Sequence, residues 1–169
     1  MKLNCTTTLI GLIGLAAIAR LLPHPPNFTP IMAMALVAGC HFADRRLAFV
    51  VPLAAMLFTD AVLGFHATLP HVYAGVVLTA LIGMGLRGRT GVATVAGASL
   101  AGSLTFFAVT NLGVWQVGGL YAPDAAGLVA CYVAALPFLE NSIAGDLIFT
   151  ALLFGGHALA VRQRPLIAT

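Results

Sequence analysis

Charged side chains are scarce in this sequence. Eight Lys and Arg and five Asp and Glu residues are spread over 169 positions, whereas 60% of the residues are hydrophobic and the mean hydropathy is +1.02. A water-soluble domain of this size needs far more polar side chains to cover its core. The composition therefore excludes an ordinary soluble domain and indicates that lipid is the surrounding solvent.

Other absences narrow the function. No basic cluster interleaved with aromatic residues accompanies the net charge of +3, so no nucleic-acid partner is indicated. Cys5, Cys40 and Cys131 are odd in number and lie far apart in apolar sequence, which predicts small buried side chains rather than disulfides or a CxxC metal site. No nucleophile elbow, zincin pair, Walker loop or dinucleotide fingerprint occurs. We therefore expect no enzyme activity, no intrinsic cofactor and no ATP hydrolysis by this chain alone.

What the sequence does contain is a series of long apolar stretches. They run from Cys5 to Leu22, Pro30 to Phe42, Leu47 to Gly64, Val72 to Leu86, Gly91 to Trp115, and Asn141 to Val161. Six crossings predict an all-α integral membrane protein, with residues 1–169 forming a single transmembrane domain. The second and fourth stretches are short, so we expect them to begin inside the preceding loop or to be shielded by neighbouring helices.

Two segments allow another interpretation. Lys2 and the apolar run after it are similar to a cleavable signal peptide, but Cys5 to Leu22 supplies 18 residues, close to the ~20 that cross a bilayer. A retained crossing also fits the charge pattern better. The run from Ala125 to Phe138 contains Pro137, and we interpret it as a re-entrant or kinked lead into the last helix.

Basic residues predict the orientation, because cytoplasmic loops of membrane proteins carry an excess of Lys and Arg. With the N-terminus inside, six crossings leave only Arg20 toward the outer side. The seven residues placed inside are Lys2, Arg45, Arg46, Arg87, Arg89, Arg162 and Arg164. Both termini are therefore predicted to be cytoplasmic, and the outer loops are rich in His, Asn, Pro, Tyr and Gly.

Two carboxylates fall inside predicted spans, where each costs several kcal/mol unless it is paired or hydrated. Asp60, near the outer end of the third span, is either a ligand-binding group or an acceptor for structural hydrogen bonds. Asp146 lies deeper in the last span, and we expect Thr110 or Asn111 on the fifth span to bond with it.

The outer side gathers further candidates. Glu140 and Asn141 stand at the predicted start of the last span, where a helix N-terminus has free amide donors. The two side chains either hold a ligand there or cap the helix. His24, His66 and His71 lie in separate outer segments, as imidazoles able to coordinate a metal-containing ligand or as hydrogen-bonding loop residues.

Small residues recur at a spacing of four, which lets helices approach closely in lipid. Such sets are Ala35 with Gly39, Gly75 with Thr79 and Gly83, and Gly97 with Ala101.

Four blocks carry a resemblance to a known family. They are LPHPPNFTPI at 22–31, TDAVLGF at 59–65, TNLGVW at 110–115 and ALPFLEN at 135–141. The chain resembles, over nearly its whole length, small bacterial membrane proteins related to the S components of energy-coupling-factor transporters, including solitary vitamin B12 transporters of the BtuM type.

The resemblance implies a six-helix bundle, multi-pass in the bacterial cytoplasmic (inner) membrane, with both termini inside and an outer pocket. It implies uptake of a vitamin or similar small cofactor, with cobalamin as the leading candidate substrate, either alone or with energising partner subunits. The residues expected to bind the ligand are His24, Asn27, Asp60, His66, His71, Tyr73, Asn111, Glu140 and Asn141.

One departure from the family pattern affects the ligand. The B12 transporters are expected to present a cysteine to cobalt from the outer loop region after the Asp60 block, but residues 65–77 contain none. His66 or His71 would then supply an imidazole ligand to cobalt, or the substrate is not cobalamin. Two other functions stay open, which are a small accessory subunit of a larger membrane complex and an intramembrane enzyme.

Overall fold

The structure, a computed structural model, describes residues 5–162 and is all-helical over that range. Six α-helices follow one another along the chain: α1 Cys5–Ala19, α2 Ile31–His41, α3 Arg45–Leu63, α4 Leu69–Gly85, α5 Val92–Val117 and α6 Ala125–Arg162. The predicted all-α class and the number of helices are confirmed.

Three helices, α3, α5 and α6, are long and apolar enough to cross a membrane, and α1, α2 and α4 are shorter apolar helices. Large apolar side chains remain exposed around the bundle, as at Leu15, Phe58, Leu104 and Leu152. Such a surface is unfavourable in water and suits contact with lipid chains.

The shortest helix, α2, lies at the centre of the bundle. Every residue from Ile31 to Cys40 is buried, and α2 packs against α3, α4 and α6. The expectation that short apolar stretches are shielded by neighbours holds for α2. The other short stretch begins in its loop, because α4 starts at Leu69 rather than at the predicted Val72.

Two glycines allow α2 and α4 to approach closely. A Cβ added to Gly39 would collide with the backbone carbonyl of Ala80, and one added to Gly83 would collide with that of Leu36. The predicted role of small residues is confirmed at these positions. Gly97 instead faces outward with open space around it, so the Gly97 and Ala101 pair makes no helix contact of this kind.

The last helix differs from the sequence prediction. Helix α6 runs without interruption for 38 residues and contains Pro137 in its interior. Of the two interpretations of Ala125 to Phe138, the helical lead into the last helix holds and the re-entrant segment is wrong. The Asp124 carboxylate caps the helix start by accepting from the Gly127 amide at 2.7 Å, and a proline removes only one backbone hydrogen bond. Glu140 and Asn141 therefore lie within a helix, and the predicted N-terminus with free amides does not exist there.

The two ends of the bundle differ in charge. Five arginines lie at one end, here called the basic end: Arg45, Arg46, Arg87, Arg89 and Arg162. The guanidinium of Arg87 donates to two carbonyls at the end of α2, at 3.1 Å to Gly39 and 2.7 Å to Phe42, which stabilises that helix terminus.

The opposite end, here called the loop end, comprises residues 20–30, 64–68 and 118–124. Of the basic residues that the structure describes, it contains Arg20 alone, as the orientation argument predicted. Lys2, Arg164 and Thr169 lie outside the described residues.

Candidate functional site

A cavity of about 540 Å³ opens at the loop end, between residues 20–30 and the adjoining parts of α4, α5 and α6. Its volume falls within the range typical of small-molecule sites. The wall combines aromatic and polar groups, among them Arg20, His24, Asn27, His66, Asn111, Phe106, Tyr121 and Phe138. No Asp or Glu of the described residues lines it, so the formal charge of the wall is positive.

Arg20 is the cation of this wall, and a buried carboxylate holds it in place. Its Nη1 atom lies 2.7 Å from Asp60 Oδ1, with 12% of the Arg20 side chain and 2% of the Asp60 side chain exposed. The same guanidinium donates to the Thr59 hydroxyl, and the Tyr73 hydroxyl donates to Asp60 Oδ2 at 2.9 Å. Asp60 is thus fully engaged behind the wall.

Sequence reasoning did not select Arg20 as a site residue. A guanidinium offers five donors in a planar fork, so the pair with Asp60 still leaves Arg20 able to donate toward the cavity. The available signal was its position, since Arg20 is the one basic residue that the charge rule placed on the outer side.

The loop between α1 and α2 forms one side of the cavity. Asn27 adopts φ +62°, a left-handed conformation that non-glycine residues seldom adopt, and the Phe28 amide donates to the Pro25 carbonyl at 3.0 Å. The Asn141 side-chain amide on α6 donates to the Pro26 carbonyl at 3.1 Å. These bonds fix a backbone turn that places Asn27 in the cavity wall.

Both ring nitrogens of His24 face backbone carbonyls, at 2.9 Å from Pro25 O and 3.2 Å from Arg20 O. Carbonyls only accept, so a neutral imidazole donates to one of them at a time. His66 approaches from the α3–α4 loop, with Nδ1 2.8 Å from the Thr68 hydroxyl. The two histidines line the same cavity from different loops.

Four of the predicted ligand-binding residues therefore line the cavity: His24, Asn27, His66 and Asn111. Asp60 lies behind its wall and holds Arg20, and Tyr73 donates to Asp60. Asn141 holds the loop without lining the cavity.

Two predicted residues lie apart from this arrangement. His71 packs against Gly113, and its Nε2 lies 3.0 Å from Gln116 Oε1. Glu140 is exposed on α6 and does not line the cavity.

One cysteine has an unexpected position. Cys131 lies in the cavity wall, where its thiol donates to the Asn111 carbonyl at 3.5 Å and is 1% exposed. The sequence suggested only a small buried residue, because the continuity of α6 that brings Cys131 to the cavity was not predicted.

Within residues 5–162, no group of three or more His, Cys, Asp or Glu side chains is arranged to hold a metal ion.

Comparison with known proteins adds a family and no function. No curated protein and no solved structure matches the chain. A family model, however, matches residues 2–167, which is nearly the whole sequence. The chain therefore belongs to the DUF6580 family, a family of unknown function.

Proposed function

We propose that this chain is a multi-pass transporter of the bacterial inner membrane that captures a vitamin-like cofactor at its loop end. The observation that carries the proposal is the cavity of about 540 Å³ that reaches the first residue of the buried helix α2. A solute held there has already entered the bundle. The non-helical backbone between α1 and α2 lines this cavity, the kind of place where a membrane protein tolerates irregular backbone.

The proposal requires six crossings, with the basic end in the cytoplasm. Helices α3, α5 and α6 are long enough to cross a membrane, and the shorter apolar helices α1, α2 and α4 would supply the other three crossings. The arginines gathered at the basic end favour this orientation. Single cysteines at two exposed loop positions, Thr90→Cys and Pro123→Cys, test it in a background with Cys5 replaced. In intact cells, a membrane-impermeant maleimide should label position 123 and spare position 90 until the cells are opened. The reverse pattern contradicts the orientation.

A corrinoid is the leading candidate ligand. Support comes from the resemblance of the sequence blocks to vitamin B12 transporters and from the imidazoles of His24 and His66 in the cavity wall. His66 lines the cavity and His71 does not, so the proposal assigns cobalt ligation to His66. No nucleotide-binding motif is present, so transport is solitary or is energised by partner subunits.

Replacement of His66 tests the ligand assignment. We expect His66→Ala to weaken cobalamin binding at least about tenfold, equivalent to ~1.4 kcal/mol, because a cobalt ligand is lost. His71→Ala is the matched control, being a histidine of the same region outside the cavity, and should change affinity less than about twofold. Titration calorimetry of the purified protein measures both.

The outcomes separate two claims. If the parent protein releases no heat with cobalamin, the corrinoid proposal fails. If the parent protein binds cobalamin and His66→Ala binds it equally well, only the assignment of His66 as a cobalt ligand fails. Stoichiometric copurification of other membrane subunits, with no ligand bound in the cavity, would instead favour an accessory subunit.

A further inference from the structure

A second carboxylate, Asp146, lies between α5 and α6 away from the cavity. It is 3% exposed, and its Oδ2 lies 2.6 Å from the Ser103 hydroxyl oxygen. The expected partners Thr110 and Asn111 instead bond to carbonyls of their own helix. Within residues 5–162, no Lys, Arg or His pairs with Asp146, and the ion pair found there joins Arg20 to Asp60.

The elements around Asp146 carry few ionisable groups. Helix α5 has none between Val92 and Val117, and α1 has only Cys5. Helix α2 has Cys40 and His41, both close to the basic end. The ionisable residues of α6 itself stand six or more positions from Asp146: Cys131, Tyr132, Glu140, His157 and Arg162. The adjoining loop carries Arg20, which is bonded to Asp60, and His24, whose ring faces backbone carbonyls.

The Ser103 hydroxyl has two acceptors within reach, so two proton arrangements are available at this site. The Ser103 hydroxyl oxygen also lies 3.1 Å from the Ser99 carbonyl. A serine has one hydrogen to donate, and a carbonyl can only accept. When Ser103 donates to Asp146, an ionised carboxylate remains buried without a cation, which is costly. When Ser103 donates to Ser99, the bond at 2.6 Å is made only if Asp146 is itself the donor, as a neutral carboxylic acid.

Two further hydroxyl groups lie between the Asp146–Ser103 pair and the basic end. The hydroxyls of Ser99 and Thr150 lie 3.2 Å apart. Thr150 also lines a second cavity of about 470 Å³ between α5 and α6, with Arg162 in its wall. Ser103, Ser99 and Thr150 therefore lie between Asp146 and a cavity on the side opposite the ligand cavity, although Ser103 bonds to the carbonyl of Ser99 and not to its hydroxyl.

The loop that lines the ligand cavity also covers this part of α6. Asn27 and Thr29 face the cavity, whereas Phe28 between them packs on α6. A Cβ on Gly145 would lie 3.2 Å from the Phe28 Cα atom, and the Phe28 ring lies edge-on to Phe149 at 5.8 Å. Displacement of this loop by a ligand would change the surroundings of Asp146, the residue next to Gly145.

We propose that Asp146 is a proton-binding site that couples the movement of the ligand to the movement of a proton, an inference that rests on the proposed transport function. In the resting state the carboxyl group is neutral and donates to Ser103. When the loop moves, its O–H bond breaks, the electron pair stays on the carboxylate, and the proton passes to water at the second cavity. A proton entering from the loop end restores the acid.

Infrared spectroscopy tests the site without any ligand. The chain has only five Asp and Glu side chains, so the carbonyl stretch of a buried protonated acid can be assigned by substitution. At neutral pD we expect one such band in the parent protein, its loss in Asp146→Asn, and its retention in Glu140→Gln on the same helix. The asparagine amide can still donate to Ser103, so Asp146→Asn should fold.

Absence of the band from the parent, or its persistence in Asp146→Asn, overturns the proton site. Coupling is tested in proteoliposomes with cobalamin as the probe. An inward proton gradient should raise the initial uptake rate at least about fivefold in the parent and leave Asp146→Asn unaffected. If the parent takes up cobalamin at the same rate with and without the gradient, the proposed coupling to protons is rejected, while the proposed transport function is supported. If cobalamin is not taken up at all, the transport proposal fails for this ligand and the coupling fails with it, while the infrared result alone decides whether Asp146 binds a proton.

Discussion

Replacement of Arg20 by Met is expected to destabilise the protein by about 3–5 kcal/mol, the largest effect of any single substitution proposed. Removing one partner of a buried ion pair leaves the other charge uncompensated. Here the remaining carboxylate, Asp60, would retain the Tyr73 hydroxyl as a donor but lose its cation. The thermal midpoint and the denaturant resistance of the purified protein in one detergent measure the loss.

A double substitution identifies the cause. Asn at position 60 can still accept from Tyr73 and carries no charge, so Arg20→Met with Asp60→Asn should recover most of the stability lost by Arg20→Met alone. If the double variant is as unstable as the single one, the loss comes from the missing Arg20 side chain and not from the unpaired carboxylate. Ligand binding should stay impaired in both, because Arg20 lines the cavity.

Gly39→Ala is expected to destabilise the protein by about 3 kcal/mol, at the upper end of the usual cost of overpacking. The new methyl group would meet the Ala80 carbonyl and the Met84 amide. Both are backbone groups of α4, so no side chain can rotate away and the two helices must separate. The midpoint of thermal unfolding reports the change.

Gly85→Ala is the matched control, since Gly85 ends α4 and a Cβ there meets nothing within 4 Å. It should be neutral or slightly stabilising, because alanine has the higher helix propensity. Equal losses in the two variants would mean that glycine is needed for reasons other than the close approach of α2 and α4.

The helices were predictable because apolar runs directly report contact with lipid or a buried core. The boundaries of α6 were not, since Pro137 is compatible with either a helix end or a kink, and the choice depends on neighbouring contacts. One such contact is the capping bond from the Gly127 amide to Asp124. It fixes the start of α6 at Ala125, twelve residues before Pro137.

The candidate site was predictable only in part. His24, Asn27, His66 and Asn111 were selected because polar residues at one end of the bundle share a face, which topology alone determines. The role of Asp60 was left between binding and structure, because the sequence does not show which cation lies within reach. The pair with Arg20 spans 40 positions along the chain, and only the folded arrangement of α1 and α3 brings the two groups together.

With the proposed six crossings, the shortness of α2 would reduce the thickness of protein over which a membrane voltage falls. Its 11 residues rise only ~16 Å, about half of the ~30 Å hydrocarbon layer. Ile31 at one end of α2 lines the ligand cavity, and His41 at the other end approaches the basic end. If water fills the cavity, a membrane voltage falls mainly across this shorter distance, and the local field is roughly doubled. A charged group crossing beside α2 would experience most of the membrane potential within three turns of one helix.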